Sequence, residues 1–203
     1  MRVPTWIYFL IFIGLLIGNV KVYQTIFAEP VLKVAILEAG KSNAVLVKSP
    51  GGNTVLIDTG SDASILRALG GALPMWQRKI DAIILTSAAA SNAGGLPEVQ
   101  DRYRVGTLIR SATRGDRFAL GGDAYADILW PPKTISPMSP ADSVMVIRIS
   151  YGITSFLIQK NLPLRISTYL ATLDSNQPPP DLIISSSTPA GIYTSNGEIV
   201  IKN

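Results

Sequence analysis

Apolar residues beyond position 30 fall mainly into short runs typical of β-strands, with a few segments of helical period between them. Residues 31–40 open as a strand, and residues 43–60 predict a β-hairpin. Its turn is the segment PGGN, whose glycines can adopt positive φ. The almost continuously apolar residues 80–86 are typical of a central strand covered on both faces.

Three helices are predicted between these strands. Ser61 or Asp62 is the expected N-cap of the first, and Gly70 its C-terminal stop. The second begins near residue 96 with Pro97 in its first turn, where a missing N–H costs little. The third covers residues 162–173 and ends before the prolines of QPPP. Further strands are expected at residues 105–109, 125–130, 143–151, 154–159, 181–186, 191–194 and 198–203. This order predicts an α/β fold with helices packed on mixed sheets.

The first twenty residues differ from the rest. Residues 3–20 carry no charge and lie between Arg2 and Lys21, which is about the length a helix needs to cross a membrane. The sequence thus predicts a transmembrane anchor at residues 1–22, a linker at 23–30 and a globular domain at 31–203. A cleaved signal peptide is the alternative, although Ile26 stands where a cleavage site wants a small residue. The distribution of positive charge favours a single-pass protein with an extracytoplasmic domain.

The amino-acid composition limits the kinds of functional site that the chain can form. The chain has neither Cys nor His, which excludes disulfides, an ordinary zinc or haem site and a histidine general base. A hydrophobic content of 47% with 16% charged residues excludes a disordered chain. The net charge of +4 is compatible with an anionic partner.

Three segments in order suggest a family: VAILEAGKSNAVLVKSPGGNTVLIDTG, LTSAAASNAGGLPEV and SVMVIRISYGITSFLIQKN. Together they resemble the metallo-β-lactamase fold, and most of all the C-terminal domain of ComEC-type DNA-uptake proteins. The resemblance covers nearly all of residues 31–203. It implies an αββα sandwich of two mixed sheets, and a two-metal site whose ligands follow the strands.

The metal-binding residues of that family are replaced here. The resemblance places its ligands on Ser87, Ala89, Ser91, Asn92, Asn161 and Ser186, and of its site residues only Asp58 is retained. Catalytic zinc needs three or four nitrogen, carboxylate or thiolate ligands, and one carboxylate cannot hold two divalent ions. We therefore expect no metal, no cofactor and no catalytic residue. The chain is predicted to be a pseudoenzyme that acts as a membrane-anchored binding or scaffold module, linked to DNA uptake through the resemblance alone.

Alternatives remain open for the surviving residues. Asp58 is either a functional acid or a brace for the turn at DTGSD. A serine of the cleft, with Lys41 or Lys160 as base, would make a metal-independent hydrolase. An anion-binding surface for DNA or lipid is predicted at Arg102, Arg104, Arg110, Arg114 and Arg117, unless these are simply solvated side chains. The expected partners are thus the membrane and either DNA or another protein.

Overall fold

A computed structural model describes residues 4–26, 31–133, 144–160, 162–173, 178–194 and 199–200 of the chain. The chain divides into two compact units, Met1–Pro30 and Val31–Asn203. The first contains the helix α1, Thr5–Ile26. Within the described residues, no helix combines the length and the apolar character that crossing a membrane requires. Residues 27–30 of the predicted linker lie outside the described residues.

The second unit is built on two mixed sheets. The larger sheet has seven strands in the order β12-β11-β1-β2-β3-β4-β5. Its strands are β1 Lys33–Ala39, β2 Ser42–Lys48, β3 Thr54–Ile57, β4 Lys79–Ile84, β5 Arg104–Ile109, β11 Gly191–Thr194 and β12 Ile199–Val200. β2 and β3 form the predicted antiparallel hairpin, whereas β3, β4 and β5 run parallel.

The smaller sheet has five strands in the order β10-β9-β8-β7-β6. Its strands are β6 Arg117–Gly121, β7 Ala124–Trp130, β8 Val146–Tyr151, β9 Thr154–Ile158 and β10 Leu182–Ile184. The remaining helices are α2 Ser64–Ala72, α3 Ala90–Ala93, α4 Leu96–Arg102 and α5 Leu164–Leu173.

Alternation along the strands sends side chains into two separate cores. On β2, Val45 and Val47 point into the core between the two sheets, where they meet Ile147 and Phe156 of the smaller sheet. Leu46 points the other way, into the core that the outer face of the larger sheet forms with α2 and α4. A third cluster packs α5 on the outer face of the smaller sheet. The layers are thus helix, sheet, sheet and helix, which confirms the predicted sandwich.

The N-cap of α2 is Ala63, not the predicted Ser61 or Asp62, and the short helix α3 was not predicted.

Two further features were misplaced or missed. Helix α2 continues two residues past Gly70 and ends at Ala72. A glycine stops a helix only where its backbone adopts the left-handed conformation, and Gly70 is instead helical, with open space around it. Strand β6 was missed because it is a short edge strand in which Leu120 alone is buried. Pro97 lies in the first turn of α4, as predicted.

Gly94 lies between α3 and α4, and a substitution there tests how closely the backbone packs at this point. A Cβ atom there would lie 2.2 Å from the carbonyl oxygen of Ser61 and 2.6 Å from that of Ala90. Since both neighbours are backbone atoms, we expect Gly94→Ala to lower the free energy of unfolding by about 1–3 kcal/mol, measured by urea denaturation of the full chain.

Gly70→Ala is the matched control. Gly70 is helical, and a Cβ atom added to it would meet nothing within 4 Å, so alanine should stabilise the chain by about 0.5–1 kcal/mol. Equal effects of the two substitutions would contradict the close approach at Gly94.

Candidate functional site

The candidate site lies where the ends of β3, β4 and β9 meet. Asp58 follows β3 with a φ of 60°, a left-handed conformation that Asp adopts more readily than most residues. Its backbone N–H donates a hydrogen bond of 2.9 Å to the carbonyl oxygen of Ile84, at the end of β4. The turn is thereby fixed to the neighbouring strand, and Asp58 is completely buried.

Donors surround the carboxylate of Asp58. The backbone N–H of Thr86 donates to Oδ1 at 2.7 Å, and the Thr86 hydroxyl lies 2.8 Å from Oδ2. Asn92 Nδ2 lies 3.3 Å from Oδ2 and 2.7 Å from Thr86 Oγ1. Thr86 and Asn92 are buried as well, so the carboxylate is held by a polar network away from water.

Lys160 completes this network from the other sheet. Its ammonium Nζ lies 2.9 Å from Asp58 Oδ2, and both side chains are 0% exposed. The ammonium also donates a hydrogen bond to the backbone carbonyl oxygen of Asn43, on β2. Lys160 is two residues beyond the end of β9, so the ion pair joins the two sheets through the interior.

The electrostatics of the pair follow from burial and neighbours. Burial raises the pKa of the Asp58 carboxyl, and the Lys160 ammonium and the Thr86 donors oppose that rise. The groups that contact the two carboxylate oxygens are an ammonium, a backbone N–H, a hydroxyl and an amide NH₂. Because all of them can donate, the network fits the ionised carboxylate.

Asn92, on α3, fixes the loop that follows β4. Its backbone carbonyl oxygen accepts hydrogen bonds from the N–H of Thr59 at 2.7 Å and from the Thr59 hydroxyl at 3.2 Å. The Ser91 hydroxyl lies 2.9 Å from Asn92 Oδ1. Asn92 thus braces the loop against the turn at Asp58, and Asp58 in turn braces the ends of β3 and β4.

The other predicted cleft residues lie farther out. Ser87 is half-buried, and its hydroxyl accepts the N–H of the exposed Ala89 at 3.3 Å. The exposed Ser186 reaches the site through its backbone, since Asn43 Nδ2 lies 3.4 Å from its carbonyl oxygen. Asn161 lies outside the described residues. The structure therefore joins Asn92 to Asp58 directly and connects the Ser186 loop to Lys160 through Asn43.

This donor set does not fit a metal ion. Zinc requires three or four anionic or imidazole ligands, and in the described parts of the chain no group of three or more His, Cys, Asp or Glu side chains is placed to hold an ion. Asp58 carries the only carboxylate in the network, and an ammonium is already bound to it. A divalent cation there would meet the positive charge of Lys160.

The serine alternative gains no support from the position of Lys160. A lysine that activates a serine must share a hydrogen bond with that hydroxyl and give up its own proton. The Lys160 ammonium instead binds the Asp58 carboxylate and the Asn43 carbonyl oxygen. Lys41, the other predicted base, is exposed.

The five predicted arginines do not form one surface. Arg117 makes a two-pronged ion pair with Asp127, at 2.5 and 3.0 Å, and lies over the ring of Tyr125. Arg102 and Arg104 line a cavity at the start of β5, whereas Arg110 follows the opposite end of that strand. Arg114 lies in the loop before β6, where its N–H donates to the carbonyl oxygen of Pro131.

Sequence reasoning missed the roles of Lys160 and Thr86. Lys160 was considered only as a base for a serine, although it directly follows the apolar strand TSFLIQ. The sequence signal for an internal ion pair was a lysine directly after a buried strand, in a cleft that also contains an acid.

Comparisons with known proteins agree on the fold. No family model matches the chain, and no curated protein matches it. Solved structures do match. A "HARLDQ motif mutant" of a metallo-β-lactamase from Cronobacter sakazakii shares 17% identity at a TM-score of 0.52, covering 75% of this chain and 76% of that one.

Two further structures match at a similar level. MEM-A1, a subclass B3 metallo-β-lactamase isolated from a soil metagenome library, shares 13% identity at a TM-score of 0.54, covering 76% of each chain. A B3 enzyme described as the first with an active-site glutamic acid shares 15% identity at a TM-score of 0.53, covering 77% of this chain and 78% of that one. At these identities the likeness shows the architecture alone: the chain has the metallo-β-lactamase fold.

Proposed function

We propose that this chain is a catalytically inactive protein with the metallo-β-lactamase fold, in which the Lys160 ammonium replaces metal ions as the positive charge of the cleft. The observation that carries the proposal is the fully buried pair of Lys160 and Asp58, with Nζ 2.9 Å from Oδ2. The surviving acid is thus neutralised by a cation that belongs to the chain itself.

An ammonium cannot replace a metal ion chemically. A catalytic metal keeps an open position for water and lowers the pKa of that water to about 7, which makes a nucleophile at neutral pH. An ammonium has no such position, because it only donates hydrogen bonds. The Lys160 donors that the structure shows are directed at Asp58 and Asn43. The pair therefore preserves the shape of the cleft without its hydrolytic chemistry.

The role we infer is that of a binding or scaffold module. A cleft fixed by buried hydrogen bonds supports a rigid domain, and such a domain acts through the surfaces it presents. Attachment to a membrane through residues 1–22, with the domain on the extracytoplasmic side, belongs to this proposal. So does a link with DNA uptake, which rests on sequence resemblance.

Metal analysis tests the proposal directly. The full chain, purified after growth with added zinc and manganese, should contain far less than one equivalent of either metal by elemental analysis. Added Zn²⁺ or Mn²⁺ should leave the thermal unfolding midpoint unchanged, because a ligand that binds only the folded state would raise it.

Two metal ions per chain would overturn the proposal. So would hydrolysis of a chromogenic β-lactam or phosphodiester that is abolished both by a chelator and by Asp58→Asn. A trace of metal that Asp58→Asn leaves in place would point to a contaminating surface site, not to the cleft.

The ion pair itself can be tested by stability. Lys160→Met keeps the length of the side chain but leaves Asp58 buried without its counter-charge, so we expect a loss of about 3–5 kcal/mol in the free energy of unfolding. Asp58→Asn should cost a similar amount. The double variant should cost clearly less than the sum, because neither charge is then left alone. Urea denaturation of the four proteins gives the coupling energy.

Lys79→Met serves as the matched control. Lys79 pairs with Asp81 at 2.5 Å, but its side chain is 64% exposed, and solvent-exposed pairs contribute only about 0–1 kcal/mol. If Lys160→Met destabilised the chain no more than Lys79→Met does, the buried charge would not be what holds the cleft together.

A further inference from the structure

We propose that an exposed turn at Met75 and Trp76, together with the basic cavity next to it, binds the surface of membranes that contain anionic lipids. The proposal goes beyond the proposed binding role and names a ligand for it. The surface is separate from the cleft, so finding metal or hydrolysis in the cleft would overturn the proposed function and leave this inference intact.

The turn presents two large apolar side chains to solvent. The N–H of Gln77 donates to the carbonyl oxygen of Pro74 at 2.9 Å, which places Met75 and Trp76 at the two central positions of a β-turn. They are 81% and 80% exposed. Single exposed apolar residues are ordinary, but an adjacent pair at the tip of a turn is a candidate contact surface.

The turn is held in place from below. The side-chain amide of Gln77 donates to the hydroxyl of Thr54 at 2.8 Å and to the carbonyl oxygen of Lys79 at 3.2 Å. Thr54 begins β3 and Lys79 begins β4. The apolar tip is therefore fixed to the end of the larger sheet where β3 and β4 begin. Its backbone does not need to become ordered when a ligand binds.

The basic cavity lies beside this turn and has a volume of about 480 Å³. Parallel strands β4 and β5 both begin at this edge, with Lys79 opposite Arg104 in the register. Helix α4 ends at Arg102, and the N–H of Arg104 donates to the carbonyl oxygen of Arg78 at 2.8 Å. The topology thus places four cationic residues around one cavity: Arg78, Lys79, Arg102 and Arg104. The first of them is two positions after Trp76 in the sequence.

Three of these cations are available to a ligand. Lys79 pairs with Asp81, whereas among the described residues Arg78, Arg102 and Arg104 form no ion pair. All three arginines are exposed, and Asp101 is the one acid that lines the cavity. A guanidinium binds phosphate oxygens in a two-pronged geometry, so the cavity fits a phosphate-bearing ligand.

The apolar tip favours a lipid surface over a nucleic acid. Tryptophan prefers the interface between headgroups and hydrocarbon, and an apolar contact next to cations is the combination that surface-bound proteins use. Single-stranded nucleic acids bind to a series of aromatic side chains on which successive bases stack. Here Met75 offers no stacking face, and Tyr103 is only 4% exposed.

A fluorescent probe at the turn tests the proposal. The chain has no cysteine, so Met75→Cys provides one labelling position for an environment-sensitive fluorophore on the full chain. Vesicles of phosphatidylcholine with about 30% phosphatidylglycerol should shift the emission to the blue, and pure phosphatidylcholine vesicles should not. Changing Arg78, Arg102 and Arg104 together to Gln should raise the lipid concentration that gives a half-maximal response about 100-fold. Each lost cation should weaken binding about fivefold, and three are lost.

Ile153→Cys provides the matched control. Ile153 is 100% exposed in the turn between β8 and β9 of the smaller sheet, so a label there reports attachment of the chain by any other route. It should give the same emission with both kinds of vesicle. Attachment through the apolar residues 1–22 does not require anionic lipid, so the comparison of the two kinds of vesicle separates it from the response at position 75.

Several results would overturn the proposal. They are an unchanged probe at position 75, equal responses to neutral and anionic vesicles, or a triple variant that responds like the parent. A blue shift produced by millimolar inorganic phosphate without vesicles would identify a site for a free anion. A shift produced by a single-stranded oligonucleotide and lost in the triple variant would identify a nucleic-acid surface.

Discussion

The interior of this protein depends on one buried ion pair. Asp58 comes from the end of β3 in the larger sheet and Lys160 from the segment after β9 in the smaller one, with their charged atoms 2.9 Å apart. Removing two charges from water costs several kcal/mol for each ion. Thr86, Asn92 and the Asn43 carbonyl oxygen offset that cost, because they hydrogen-bond atoms that water would otherwise solvate. These bonds position the ends of β3 and β4, and among the described cleft residues Asn92 belongs to the same network as Asp58.

The same network shows how the loops of this cleft can be held together by groups other than metal ligands. In a metal centre, the cations hold together acidic and imidazole side chains from several loops. Here the loops bring one acid, and one lysine balances it. Hydrogen bonds between neutral groups, such as those of Asn92 with Thr86 and with the Thr59 N–H, connect the rest. The network balances the charge of Asp58 and connects the loops to one another.

Much of the fold could be predicted from the sequence, because strand alternation and turn glycines are local signals. The hairpin β2–β3, the covered strand β4 and the start of α4 at Pro97 were all predicted in this way, and the sandwich followed from the resemblance. The ion pair was not predicted: its two residues lie 102 positions apart, and the sequence signal of a lysine after a buried strand does not tell which acid the lysine meets when the two sheets pack. Local patterns also failed at Gly70, which can stop a helix or continue it, and at the short edge strand β6.

The buried pair also bears on where we propose that the protein binds a ligand. In the described part of the cleft, the carboxylate of Asp58 and the ammonium of Lys160 neutralise each other away from solvent. Arg117 is likewise committed to Asp127. Among the described residues, Arg78, Arg102 and Arg104 form no ion pair and lie together at the opposite end of the parallel strands, where β4 and β5 begin. Recognition is therefore expected at the strand starts near Arg102 and Arg104, away from the strand ends that shape the cleft.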